Sequence, residues 1–130
     1  MKKILVADVP QMDGRYSAAL AGWEVAFVRT LSEARQALAA ERYDLVAIGV
    51  YFDDSQMFDL VRAIRSDATQ GKVPIVCVRG RPGFTAITSR TLEVTVKALA
   101  ADEFIDLLHF GDDDAGNAAL RATVERLIKA

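Results

Sequence analysis

The sequence predicts an α/β fold: a doubly wound parallel sheet with helices on both faces. Five short apolar runs rich in Val, Ile and Leu alternate with stretches of helical periodicity. The strand runs are mostly continuous rather than alternating, which means burial on both faces and hence a parallel sheet. Right-handed crossovers between parallel strands then put helices on both sides. The chain has 130 residues, enough for one sizeable core, and no linker, repeat or low-complexity stretch divides it. Residues 1–130 are expected to form a single domain.

The elements follow in order. "ILVAD" (Ile4 to Asp8) is a buried strand, and "RYSAALAG" (Arg15 to Gly22) is a short helix stopped by glycine. "WEVAFV" (Trp23 to Val28) is the second strand. In "TLSEARQALAA", Thr30 and Glu33 stand at capping-box spacing, and Leu31, Ala34 and Leu38 share a face, so a second helix starts there. "DLVAIGV" (Asp44 to Val50) is the third strand. "QMFDLVRAIRSD" (Gln56 to Asp67) carries Phe58, Leu60, Val61 and Ile64 at helical spacing. "GKVPIVCVRG" (Gly71 to Gly80) holds the fourth strand after a turn. "TLEVTVKALAA" (Thr91 to Ala101) is the fourth helix, although its β-branched residues weaken the propensity. "EFIDLLHF" (Glu103 to Phe110) is the fifth strand. "GNAALRATVERLIKA" is a closing amphipathic helix, and Asp112 to Asp114 suit its cap and dipole.

Composition narrows the function classes. The chain is 52% apolar and 26% charged, with a net charge of −2, so it reads as an ordinary globular protein. Nucleic-acid and membrane-surface binding need a basic face, and this balance predicts neither. The single cysteine, Cys77, lies in an apolar run; no disulfide can form within the chain, which fits a reducing compartment. The opening "MKKILVADVP" breaks its apolar run at Asp8, too soon for a signal-peptide core, and no run approaches a membrane span. A cytoplasmic location is expected.

In doubly wound folds, function gathers outside the carboxyl ends of the strands. The residues there are Asp8, Gly49 with the residues after it, Arg79, and Leu107 with Leu108.

These elements, in this order, resemble a response-regulator receiver domain of the CheY-like type. "KKILVADV" is similar to the family's first strand. "GWEVAFVRTLSEARQALAAERYDLVAIGVYFDDSQMFDLVRAIR" aligns without a gap from its second strand through its third helix. "VPIVCVRG" resembles the fourth strand and "ADEFIDLLHF" the fifth. The resemblance implies a flavodoxin-like (βα)5 sheet of order 2-1-3-4-5 in three layers. It also implies a module of bacterial two-component (phosphorelay) signalling.

The family's chemistry uses an aspartate at the end of the third strand, phosphorylated by a histidine kinase. It also uses two acids after the first strand that help hold Mg²⁺, a Ser or Thr after the fourth strand and a Lys after the fifth. Most of these are replaced. Asp8 matches the first acid, but its neighbour is Val9. The phosphoacceptor position is Gly49, the Ser/Thr position Arg79, and the Lys position Leu107, followed by Leu108 where proline is usual. Phe104 matches the aromatic that reports activation. The pocket is therefore expected to be a degenerate one made of Asp8, Val9, Gly49, Tyr51, Arg79, Phe104 and Leu107. The resemblance so modified implies a pseudo-receiver: a non-enzymatic module that needs no phosphoryl group, catalytic residue or Mg²⁺ and works through protein contacts. Partners would be signalling proteins, a histidine kinase or another regulator among them. A homodimer through the fourth helix, fifth strand and fifth helix is a further expectation.

Alternatives stay open at this point. Asp53 or Asp54 could act as a displaced phosphoacceptor, against the blander reading of a solvated turn that also holds Ser55. The strand-end crevice could serve a small ligand or an enzyme, since the fold hosts many functions. Asp8 alone is a poor ligand set for Mg²⁺. Arg79 is expected either to pair with Asp8, replacing the missing cations, or to point to solvent. "RGRP" (Arg79 to Pro82) matches the core of a minor-groove hook, but follows a buried strand in an acidic chain. Cys77 and His109 lack partners for nucleophile chemistry, and the run at Asp112 lacks calcium-loop spacing. Two lengths depart from the family: the first helix is about one turn short, and the stretch holding "GRPGFTAITS" is about six residues longer.

Overall fold

A computed structural model describes residues 1–82 and 88–129, so much of the "GRPGFTAITS" stretch lies outside the described residues. The five strands are β1 (Lys3–Ala7), β2 (Glu24–Val28), β3 (Leu45–Gly49), β4 (Ile75–Arg79) and β5 (Glu103–Asp106). They form one parallel sheet in the order β2-β1-β3-β4-β5. The helices are α1 (Asp13–Ala19), α2 (Leu31–Ala40), α3 (Met57–Arg65), α4 (Ser89–Ala98) and α5 (Asp113–Lys129).

Strand side chains alternate between two cores, as the pleat requires. Ile4, Val6, Leu45, Ala47, Val76 and Val78 pack against Tyr16 of α1, Leu20 beyond it, and Leu120 and Val124 of α5. Leu5, Ala7, Val46, Ile48, Ile75 and Cys77 pack against α2, α3 and α4 through Ala34, Leu60, Ile64, Leu92 and Val96. The sheet is thus sandwiched, which explains its near-continuous apolar strands.

Local chemistry sets the boundaries. Thr30 caps α2: its hydroxyl accepts from the Glu33 N–H at 3.0 Å, and the Glu33 carboxylate accepts from the Thr30 N–H at 3.3 Å. Asp112 accepts from the Ala115 N–H at 2.7 Å and starts α5 at Asp113, earlier than periodicity suggests. Thr88 caps α4 through the Thr91 N–H, which draws its start back to Ser89 and ends it at Ala98. Helix α1 spans Asp13–Ala19 rather than Arg15 to Gly22, because a 3-10 turn at Pro10–Met12 leads straight into it. Helix α3 is shorter at both ends than the stretch Gln56 to Asp67, while keeping its whole apolar pattern from Phe58 to Ile64. The fifth strand read to Phe110 ends at Asp106: the Asp106 carboxylate accepts from the Leu108 N–H at 2.9 Å and turns the chain into a 3-10 turn, Leu107–His109.

Arg65 at the end of α3 ties the amino end of the sheet. Its guanidinium donates to the carbonyls of Ala100 (2.8 Å), Gly71 (3.0 Å) and Val73 (2.6 Å), and to Asp102 (2.9 Å). Asp102 also accepts from the Ile75 N–H at 2.8 Å. Among the described residues no helix is long and apolar enough to cross a membrane.

Candidate functional site

Strand β1 delivers Asp8 and β3 delivers Gly49 to the same end of the sheet. Parity puts both on the α1 face, in line with Val6 and Ala47. The Asp8 carboxylate leans over Gly49. A Cβ on residue 49 would lie 2.0 Å from Asp8 Cγ and 2.1 Å from each carboxylate oxygen. The space of a side chain at 49 is therefore already taken, by a neighbour that is only 4% exposed.

Two donors hold that carboxylate. The Tyr16 hydroxyl of α1 donates to Oδ2 at 2.6 Å, and the Val9 N–H donates to Oδ1 at 2.7 Å. The nearest guanidinium goes elsewhere. Arg29 Nη1 donates to the backbone carbonyl of Asp8 at 3.1 Å and to Asp13 Oδ1 at 2.9 Å, and Nη2 pairs with Asp13 Oδ2. Asp8 is thus hydrogen-bonded, and among the described residues no cation is bonded to its carboxylate. Burial pushes its pKa up to about 6, against the pull of the two hydrogen bonds and of Arg29. Burial and the adjacent Asp8 also raise the Tyr16 hydroxyl well above its ordinary range.

Met12 closes the neighbouring strand end. Its Cε and Sδ would lie 2.1 and 2.7 Å from a Cβ on Gly80, which follows β4, and the Leu107 side chain stands 3.7 Å from the same point. Thioether and isobutyl groups fill this corner without offering a polar atom suited to an anion.

Arg79 neither pairs with Asp8 nor points to solvent; both expectations are corrected. Its parity, with Ile75 and Cys77, sends it to the opposite face of the sheet from Asp8. The β4–β5 register sets it beside Asp106. Nη1 donates to the Ser89 hydroxyl at 3.0 Å and stands 3.7 Å from Asp106 Oδ2. Ser89 donates to that same oxygen, and His109 Nε2 lies 3.3 Å from it. Arg79 Nε is buried without a partner among the described residues.

The other residues singled out by sequence divide between the two faces of the sheet and do not form one pocket. Val9 is half-buried against the α1-side core. Phe104 lies opposite Cys77 and, with Tyr51, packs on the far core; the Tyr51 hydroxyl is buried without a partner among the described residues. Asp53 accepts from the Leu31 N–H at 2.8 Å, so its carboxylate serves the first turn of α2. Asp53, Asp54 and Ser55 have φ of +44°, +54° and +64°, a left-handed run that L-residues adopt only under constraint. Asp54 and Ser55 are exposed.

This donor set does not fit Mg²⁺. Both oxygens of Asp8 face hydrogen-bond donors, Val9 is apolar and Gly49 has no side chain. Among the described residues no three His, Cys, Asp or Glu groups stand together as a metal site.

Neither a protein-family model nor a curated protein matches the chain. Solved structures do match. A response regulator from Hahella chejuensis aligns with a TM-score of 0.79 at 17% identity, over 98% of this chain and 95% of that one. The signal receiver domain of a signal transduction histidine kinase from Syntrophus aciditrophicus aligns with a TM-score of 0.75 at 22% identity, over 99% and 91%. A chemotaxis response regulator of Vibrio cholerae aligns with a TM-score of 0.74 at 23% identity, over 95% and 98%. The fold is the receiver fold. Within it, Asp8, Gly49, Arg79 and Leu107 all stand at or just beyond strand carboxyl ends.

Sequence reasoning missed Tyr16, Met12 and the Asp106–Ser89 pair. Tyr16 carried a signal: with Ala19 and Leu20 it forms an i, i+3, i+4 face, which turns its hydroxyl toward the sheet. Met12 carried none, since a methionine in a loop reads equally well as exposed.

Proposed function

We propose that residues 1–130 are a receiver-like module of two-component signal transduction that acts without aspartyl phosphate or Mg²⁺, as a cytoplasmic, non-enzymatic protein. One observation carries the reading: the Asp8 carboxylate lies 2.0 Å from where a Cβ at residue 49 would stand. A receiver needs a reactive carboxylate at that position and open space around it for a phosphoryl group and its ion. Here the position has no side chain and the space is filled. Met12 and Leu107 occupy the adjoining corner. What remains of a receiver is a folded surface for contacts with other signalling proteins, a histidine kinase or another regulator included. The face of α4, β5 and α5 is the proposed docking and dimerisation surface, with Val94 of α4 exposed on it.

Incubation with acetyl phosphate and Mg²⁺, followed by intact mass, tests the reading. No mass gain is expected. A stoichiometric gain that disappears in Asp54→Asn would overturn it and make the left-handed turn after β3 the phosphoacceptor site.

A further inference from the structure

Asp8 sits in a geometry that suits neither of its charge states fully. Ionised, it accepts two hydrogen bonds but lies buried without a cation, which is costly in a low-dielectric site. Neutral, it carries a hydrogen of its own, and the Tyr16 hydroxyl must turn from donor to acceptor to receive it. The groups that face the pair are few. Tyr16 and Asp13 come from α1, Arg29 follows β2, and β3 contributes only Gly49. Cys77 of β4 points to the opposite face of the sheet, and burial pushes its thiol up to about 12, so it stays neutral. Arg15 acts on Tyr16 from within α1. Among the described residues, only Tyr16, the Val9 N–H and the more distant Arg29 favour the ionised carboxylate.

Tyr16 is also the anchor of α1. The helix is only seven residues long, and its contacts continue to α5: Arg15 Nε donates to Asn117 at 3.0 Å, and Arg121 donates to the carbonyls of Ala19 (3.2 Å) and Ala21 (2.7 Å). A change at Asp8 therefore reaches the α1–α5 face through one hydroxyl.

We infer that Asp8, Tyr16 and Gly49 form a proton-operated latch on α1: protonated Asp8 holds the helix closed over the strand ends, and ionisation favours an opened form in which the carboxylate reaches water. The inference rests on the reading that no phosphoryl group or metal occupies the strand ends. The proton would then be the ligand that shifts this module between two states, because it binds the closed form more tightly than the open one. A carboxyl that titrates near 6 when closed and near its ordinary 3.8 when open gives the proton a preference of about 100-fold for the closed form. The direction is fixed: closure is complete below the ordinary carboxyl range and is lost as pH rises through about 6.

The test uses the full chain carrying His109→Gln, which removes its single imidazole. The Asp8 carboxyl is followed by carbon NMR. Hydrogen exchange of the Leu20 amide, bonded to the Tyr16 carbonyl at 2.9 Å, reports the opening of α1. The opening constant is expected to rise about 100-fold between roughly pH 4 and 6 and then to level off. In Asp8→Asn it should be flat. In Tyr16→Phe, which loses a donor to the ionised form, the carboxyl midpoint should move higher. A carboxyl titrating in the ordinary range, or an opening constant that is flat in the parent chain or still rises in Asp8→Asn, would overturn the latch. A mass gain from acetyl phosphate would instead overturn the reading beneath it.

Discussion

The two ends of the sheet treat polar groups in opposite ways. At the amino end, Arg65 spends its guanidinium on three carbonyls and Asp102, and Lys3 bonds Asp44 through its backbone N–H (2.8 Å) and Glu41 through its ammonium (2.7 Å). At the carboxyl end, Asp8 is buried with Arg29 bonded to its backbone carbonyl rather than to its carboxylate, and among the described residues Arg79 Nε, Arg15 Nη2 and the Tyr51 hydroxyl are buried without partners. Buried polar groups left this way carry a desolvation cost with no return in stability. One end of the sheet is organised for holding the fold, and the other leaves polar groups incompletely matched.

Substitutions can break this contrast. The largest effect is expected at the amino end. Arg65→Ala removes the donor to three carbonyls and to Asp102, and should lower stability by roughly 3 kcal/mol in urea denaturation. At the carboxyl end, Gly49→Ala should cost roughly 2 kcal/mol, because the new methyl must displace a buried carboxylate. Coupling sharpens the point: in Asp8→Ala with Gly49→Ala the combined loss should fall well short of the sum, as measured by a double-mutant cycle. The smallest effect is expected for Arg79→Met, about 1 kcal/mol, since the lost contacts to Ser89 and Asp106 are offset by removal of an orphaned Nε. A loss at Arg79 as large as that at Arg65 would remove the distinction between the two ends.

The strand alternation, the Thr30 cap and the sheet order were legible in the sequence because each rests on a short-range pattern or on a resemblance that spans the chain. Element ends were less so. Periodicity cannot see a side chain that turns the backbone, and Asp106 does this to β5. The site was legible as a set of positions, and its wiring only partly. Strand parity alone separates Asp8, in line with Ile4 and Val6, from Arg79, in line with Ile75 and Cys77. Counting residues along β1 and β4 therefore rules out the Asp8–Arg79 pair, but only once the registers of both strands against β3 are known, with Val6 beside Ala47 and Ala47 beside Val76. Met12 over Gly80 was out of reach, because it depends on where a 3-10 turn aims one flexible side chain. So was the left-handed run at Asp53, Asp54 and Ser55, which has none of the glycines that usually announce one.

The overlap between Asp8 and residue 49 also makes the order of substitutions matter. A chain that gains a side chain at 49 first must pass through a form in which two groups compete for one volume. One that first shortens or redirects residue 8 avoids that form. Any route from this pocket to one bearing an aspartate at 49 is therefore open in one sequence of steps and obstructed in the other, so a single exchange at 49 is a poor guide to whether the scaffold can carry phosphoryl chemistry at all.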